Sequence, residues 1–235
     1  MNPIDHPSPN HDARPSGIRI DMLVIHYTGM ASGAAAHARL CDPEAKVSAH
    51  YLVEEDGSVY RLVAEERRAW HAGVACWRGQ RDVNGRSIGI ELVNPGHEFG
   101  YRDFPAPQMA ALIALARDVL VRRPIPARNV VGHSDVAPAR KRDPGERFDW
   151  RALAAAGIGL WPEPSAPVPL QPGSIDRAQF LLATYGYELP RGGALDPPTQ
   201  GVLIAFQRHF RPACIDGRLD AETLGRLETL AGLCG

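Results

Sequence analysis

Ile88-Gly-Ile-Glu-Leu-Val93 places apolar residues around a single acid and is bounded by Ser87 on one side and the turn-forming Asn94-Pro95-Gly96 on the other. It reads as a central, buried strand with one polar insertion, Glu91. Downstream, from Ala106 to Val121, Met109, Leu112, Ile113, Ala116, Val119 and Leu120 recur at helical spacing and give one apolar face fit to cover a sheet. A buried strand followed by a one-sided helix is the repeating unit of an α/β domain.

Working outward, Met22-Leu-Val-Ile-His-Tyr27 is a second core strand that ends on His26. Ala31 to Leu40 has helical propensity, weakened at Gly33 and closed beyond by Pro43, with His37 expected on its surface. Val47 to Glu54 and Ser58 to Val63 form a hairpin through Glu55-Asp56-Gly57. Trp70 to Gly85, carrying Trp70, His71, Cys76 and Trp77 among glycines and charges, reads as a long functional loop. Asn129 to Gly132 is a short strand that delivers His133, and Lys141 and Asp143 follow in a Pro-bounded loop. Phe148 to Trp161 is expected to close the domain as a helix.

These elements predict a polar arm at 1–17, an α/β domain at 18–161 with a central mixed sheet flanked by helices, and an extended Pro-rich linker at 162–173. Residues 174–235 hold three amphipathic segments, Ser174 to Tyr185, Pro197 to Phe210 and Asp220 to Leu233, hence a small all-α three-helix domain with Asp196 and Asp220 as N-caps.

A net charge of -1 with interspersed signs gives no electrostatic reason to expect nucleic acid or an anionic membrane as partner. No apolar run approaches the ~20 residues that span a bilayer, so membrane insertion is not expected. The opening stretch lacks the pattern of a secretory leader, and the expected compartment is the cytoplasm, or the periplasm if a leader has been removed. The four cysteines have no Cys-x-x-Cys spacing, which removes a zinc ribbon and a thioredoxin-type motif; Cys214 and Cys234 flank the last helix and could bridge in an oxidising compartment. Oligomeric state is left open.

His26, His133 and Asp143 match the three protein ligands of a hydrolytic zinc site, although His26 alone is an ordinary strand-end histidine. Glu91 is either a buried carboxylate of raised pKa, suited to a general base, or a strand-edge acid facing solvent. Lys141, between Arg140 and Arg142, is either part of a solvated basic run or a cation aimed at the oxygen that turns negative when an amide is attacked. His50 and His71 are pocket residues or packing residues. His97-Glu98 lacks a second histidine at helical spacing and is no metalloprotease helix.

In this order, Val24-Ile-His-Tyr-Thr28, Val47-Ser-Ala-His-Tyr51, Trp70-His-Ala-Gly73, Ile88-Gly-Ile-Glu-Leu92, Asn94-Pro-Gly96 and Val131 to Gly145 resemble the type 2 N-acetylmuramoyl-L-alanine amidases, in their AmpD/AmiD-like group, over about residues 18–161. The resemblance implies one Zn2+ ion on His26, His133 and Asp143, Glu91 as general base and Lys141 as oxyanion stabiliser. It implies that His50, Trp70, His71 and Asn94 line the substrate groove. The implied substrates are peptidoglycan fragments or muropeptides, cut between N-acetylmuramic (or 1,6-anhydro-N-acetylmuramic) acid and L-alanine in cell-wall recycling. A non-catalytic peptidoglycan recognition protein of the same fold is the alternative, and a zinc endopeptidase of the stem peptide is a third. Leu195-Asp-Pro-Pro-Thr-Gln200, Ala205-Phe-Gln207 and Ile215-Asp-Gly-Arg-Leu-Asp220 resemble the three-helix peptidoglycan-binding domain, which implies anchoring to cell wall.

Overall fold

The computed structural model describes residues 2–163 and 167–234; Met1, Gly235 and, within the proline-rich linker, Pro164, Ser165 and Ala166 lie outside the described residues. In chain order the elements are β1 (Ile4–Asp5), β2 (His11–Ala13), β3 (Met22–Tyr27), α1 (Gly33–Cys41), β4 (Tyr51–Val53), β5 (Val59–Arg61), β6 (Arg67–Ala69), α2 (Val83–Arg86), β7 (Ser87–Leu92), α3 (Gly96–Phe99), α4 (Ala106–Arg122), β8 (Val130–Gly132), α5 (His133–Val136), α6 (Trp150–Ala155), α7 (Ser174–Tyr185), α8 (Pro197–Phe210) and α9 (Ala221–Leu233).

The strand read first from the sequence, β7, lies inside a mixed sheet of order β1-β5-β4-β7-β3-β8. It runs parallel to β3 and β4, β8 runs parallel to β3, and only the β4/β5 hairpin is antiparallel. Parallel strands are covered on both faces, which is why β3 and β7 read as nearly unbroken apolar runs. On one face Leu23, Ile25, Ile88, Ile90 and Leu92 pack against Leu112, Leu115, Ala116 and Val119 of α4. Full burial stabilises by roughly 1.5–3 kcal/mol for each large side chain. Gln108, completely buried, ties the start of α4 to the sheet by donating to the carbonyls of Val53 and Val93.

The opposite face carries Met22, Val24 and Val131, and it belongs to the same core as Trp77, Val136 and the helices α7 to α9. The three helices start and end as expected, and Asp196 and Asp220 cap α8 and α9 by accepting from Thr199 N and Thr223 N. They pack directly against the α/β domain. Trp77 sits edge-on to Tyr185 and Tyr187 at 5.4 and 5.3 Å, Arg78 N donates to Gly186 O, and His209 stacks on Trp150 at 3.7 Å.

Three expectations are corrected. Residues 1–17 are no free arm: β1 extends the sheet beside β5, β2 pairs with β6, and Arg14 donates to the carbonyls of Glu65, Asn84, Gly85 and Ser87. The stretch Trp70 to Gly85 ends in α2 and forms much of the surface on which the C-terminal helices sit. The closing helix is only α6; Gly157 and Gly159, both at positive φ, take the chain out of it. As expected, His133 stands just past the strand β8, where it opens the helical turn α5.

Candidate active site

In the β3/β7 register His26 stands directly across from Glu91, and Val24 across from Gly89. Side chains alternate along strands, so His26 and Glu91 emerge together on the face away from α4. The third strand, β8, hands over His133 at its end. From there the chain makes a short excursion and returns: Ala137 O accepts from Arg140 N and Lys141 N, and Ser134 N donates to Asp143 O at 2.9 Å. That closure places the Asp143 carboxylate against the His133 ring. Gly132 permits it, because a Cβ there would come within 2.7 Å of Pro144.

The result is one cluster. His26 Nδ1, His133 Nδ1 and Asp143 Oδ2 are each 3.0 Å from the other two, and all three residues are buried. His133 Nε2 lies 2.9 Å from the Ala72 carbonyl, which can only accept, so that nitrogen bears the proton and Nδ1 presents a lone pair. A ring lone pair and a carboxylate oxygen at 3.0 Å repel unless a positive charge lies between them. Two imidazoles and one carboxylate, buried and convergent, therefore fit a transition-metal cation. Burial and the neighbouring His133 push the His26 pKa down to about 4, while Asp143, despite its burial, is held well below the usual carboxylate range by His133 and His26.

Glu91 is 8% exposed, and among the described residues no hydrogen-bond partner meets its Oε2. Burial first, and the Asp143 carboxylate second, raise its pKa well above the ordinary value, with Lys141 opposing. A carboxyl of raised pKa is a better proton acceptor than an ordinary one, as a general base requires. Glu91, His133, Lys141 and Asp143 all line one cleft of about 550 Å³. Its walls also include Tyr27, His97, the acidic Glu98 and the basic residues Arg39, Arg140 and Arg142. Arg140 is more than flanking charge, for it donates to the carbonyls of Ala72 and Val74.

The expected groove residues are placed differently. His50 is completely buried beside His71, ring centroids 5.8 Å apart: its Nδ1 accepts from Gly89 N at 2.9 Å, and Nε2 lies 3.1 Å from Arg67 O. Asn94, equally buried, holds its own turn by donating to Arg102 O and accepting from Gly96 N. Trp70 is half-buried, tied to Ser48 through its backbone, and forms no wall of the cleft. His71 reaches the cleft but is 5% exposed and is bonded to His26 and Ser87. Sequence reasoning missed Ala72, Ser87 and Asn84 behind the cluster. The available signal was Gly89, since a glycine within a buried strand marks a close approach.

Comparison with known proteins agrees with this geometry. Residues 16–146 match the N-acetylmuramoyl-L-alanine amidase family and residues 172–227 match a putative peptidoglycan binding domain. The chain is 40% identical over 232 residues to the N-acetylmuramoyl-L-alanine amidase AmiD of Escherichia coli K12, covering 90% of this chain and 82% of that protein. The solved AmiD complex with anhydro-N-acetylmuramic acid-L-Ala-D-gamma-Glu-L-Lys superposes with a TM-score of 0.81 at 38% identity, covering 93% of this chain and 92% of that one. AmpDh3 of Pseudomonas aeruginosa gives 0.80 at 35% identity, with 99% of each chain covered.

Proposed function

The chain belongs to the N-acetylmuramoyl-L-alanine amidase family, and from that premise and its cleft we propose that it hydrolyses the amide between the lactyl group of N-acetylmuramic acid, or its 1,6-anhydro form, and L-alanine in peptidoglycan fragments. The work fits cell-wall recycling, in which a sugar and a free stem peptide are recovered. The observation that carries the reading is Glu91: a buried carboxylate with an unmatched oxygen, in the same cleft as a convergent His26/His133/Asp143 cluster.

His26, His133 and Asp143 would hold one zinc ion. Bound there, zinc supplies a Lewis acid that lowers the pKa of water toward ~7 and polarises an amide carbonyl. Glu91 takes the proton of the attacking water and returns it to the departing nitrogen of L-alanine, a task its raised pKa suits. Lys141 offers its ammonium to the oxygen that gains negative charge, where a fixed cation in a cleft is worth several kcal/mol. The basic wall residues favour a stem peptide that carries carboxylates.

The test is mass spectrometry of an anhydromuramoyl tripeptide incubated with zinc-loaded protein. The expected products are the anhydromuramic acid and a peptide with a free L-alanine amine. Cleavage inside the peptide would move the reading to an endopeptidase. Tight binding of the intact compound without any product would make the chain a recognition protein.

A further inference from the structure

Two imidazoles and a carboxylate can hold an ion only if both rings turn a lone pair toward it, and a neutral ring has one lone pair to offer. For His133 the Ala72 carbonyl decides which nitrogen that is. For His26 the decision comes from contacts behind the ring. Val83 O can only accept, so its 2.6 Å contact with Ser87 Oγ uses the single hydroxyl proton of Ser87. Ser87 Oγ then faces His71 Nε2, 3.1 Å away, as an acceptor, and Nε2 carries the His71 proton. His71 Nδ1 is left with its lone pair and at 3.0 Å accepts from His26 Nε2. The proton of His26 is therefore on its far side, and His26 Nδ1 turns its lone pair to the cluster.

Both orienting groups come from one dipeptide. The His71 and Ala72 amides donate to a single oxygen, Asn84 Oδ1, at 3.1 and 2.8 Å. The His71 ring lies over Gly89, where a Cβ would come within 2.5 Å of it. One side chain thus fixes the backbone, one hydroxyl fixes the ring, and one missing side chain gives the ring its place.

We propose that His71 and Ala72, held by Asn84 and Ser87, are the positioning frame of the metal site: the His71 ring orients His26 and the Ala72 carbonyl orients His133, each with its Nε2 protonated and Nδ1 toward the ion. This rests on the metal reading given under Proposed function. In this frame His71 acts on the ion through His26.

Full-length wild type, His71→Leu, His71→Gln and Ser87→Ala are compared by zinc affinity, measured in competition with a chromophoric chelator. Nitrogen NMR of ring-labelled, metal-free wild type reports which His26 nitrogen is protonated. The frame predicts protonated Nε2 at His26 and a 10–100-fold weaker zinc affinity for His71→Leu, the usual range for an outer partner of a metal-bound histidine. Ser87→Ala falls between. His71→Gln, whose amide can accept from His26 and donate to Ser87, recovers most of the loss. Protonated Nδ1 at His26, or zinc affinity within about threefold of wild type in both His71→Leu and Ser87→Ala, overturns the proposal. If His71→Leu does not fold, Ser87→Ala and the wild-type NMR decide. A wild type that binds no zinc sinks the metal reading instead, and the NMR still tests the relay.

Discussion

His50→Gln separates a structural histidine from a substrate-binding one. Burial first, and the Arg14 guanidinium against its ring second, push the His50 pKa down to about 3. In the unfolded chain the same side chain titrates near ~6.5. Between those values the unfolded chain binds a proton that the fold refuses, so stability rises with pH and is lost as pH falls below ~6.5. From pH 7.5 to pH 5 the loss from this one group integrates to about 2 kcal/mol, since each tenfold in proton binding is worth ~1.36 kcal/mol. Urea unfolding of wild type and His50→Gln, both with chelator, measures it, since the other buried histidines are present in both proteins. The stability difference between wild type and variant should shift by about 2 kcal/mol over that range, with KM for a muropeptide within about twofold. An unchanged difference together with a tenfold higher KM would refute the reasoning and return His50 to the groove.

Glu91→Gln should retain zinc and lower turnover by ~10²–10⁴, the usual worth of a positioned acid–base group. In wild type, kcat/KM should fall on acidification through the raised Glu91 pKa, so an acid limb in the ordinary carboxylate range contradicts the assignment. Lys141→Met should cost ~10²–10³ in kcat, as other oxyanion donors do, with zinc content unchanged; a loss confined to KM would assign Lys141 to binding. Tyr187→Phe removes the hydroxyl that donates to the buried Asp135 carboxylate at 2.6 Å, and chemical denaturation should show a loss of about 1.5–3 kcal/mol. No loss there would mean that the C-terminal helices do not brace α5.

Legibility followed the range of the forces involved. Helical spacing and N-caps are local, so α4, α7, α8 and α9 could be read to within a residue or two. The meeting of His26 with His133 was legible because β3 and β8 are apolar runs that each deliver one histidine, and parallel pairing brings their ends together. The roles of His50, Asn94 and the arm were not, because each depends on backbone carbonyls and amides supplied by distant segments, and backbone groups leave no mark in a sequence. Arg14 is the clearest case: a cation in a polar, proline-rich stretch reads as solvated, yet its partners are four carbonyls from elsewhere in the chain.

The shortness of α6 and the core shared with the C-terminal helices have one cause. A parallel sheet needs cover on both faces. Within residues 18–161 α4 is the one long helix, and it covers the first face. Helix α1 lies at the cleft, α2, α3 and α5 are single turns, and α6 stops at Ala155, so nothing in that range is long enough to cover Met22, Val24 and Val131. Those residues share their core with Phe206, Phe210 and Leu227 from beyond the proline-rich segment. The short closing helix and the merged core are therefore the same fact, and it reaches the chemistry. Asp135, two residues after His133, accepts from Gly132 N on its own turn and from Tyr187 on the C-terminal side, with His209 Nδ1 at 2.7 Å. The segment that matches a putative peptidoglycan binding domain thus also forms the floor under the turn that carries His133.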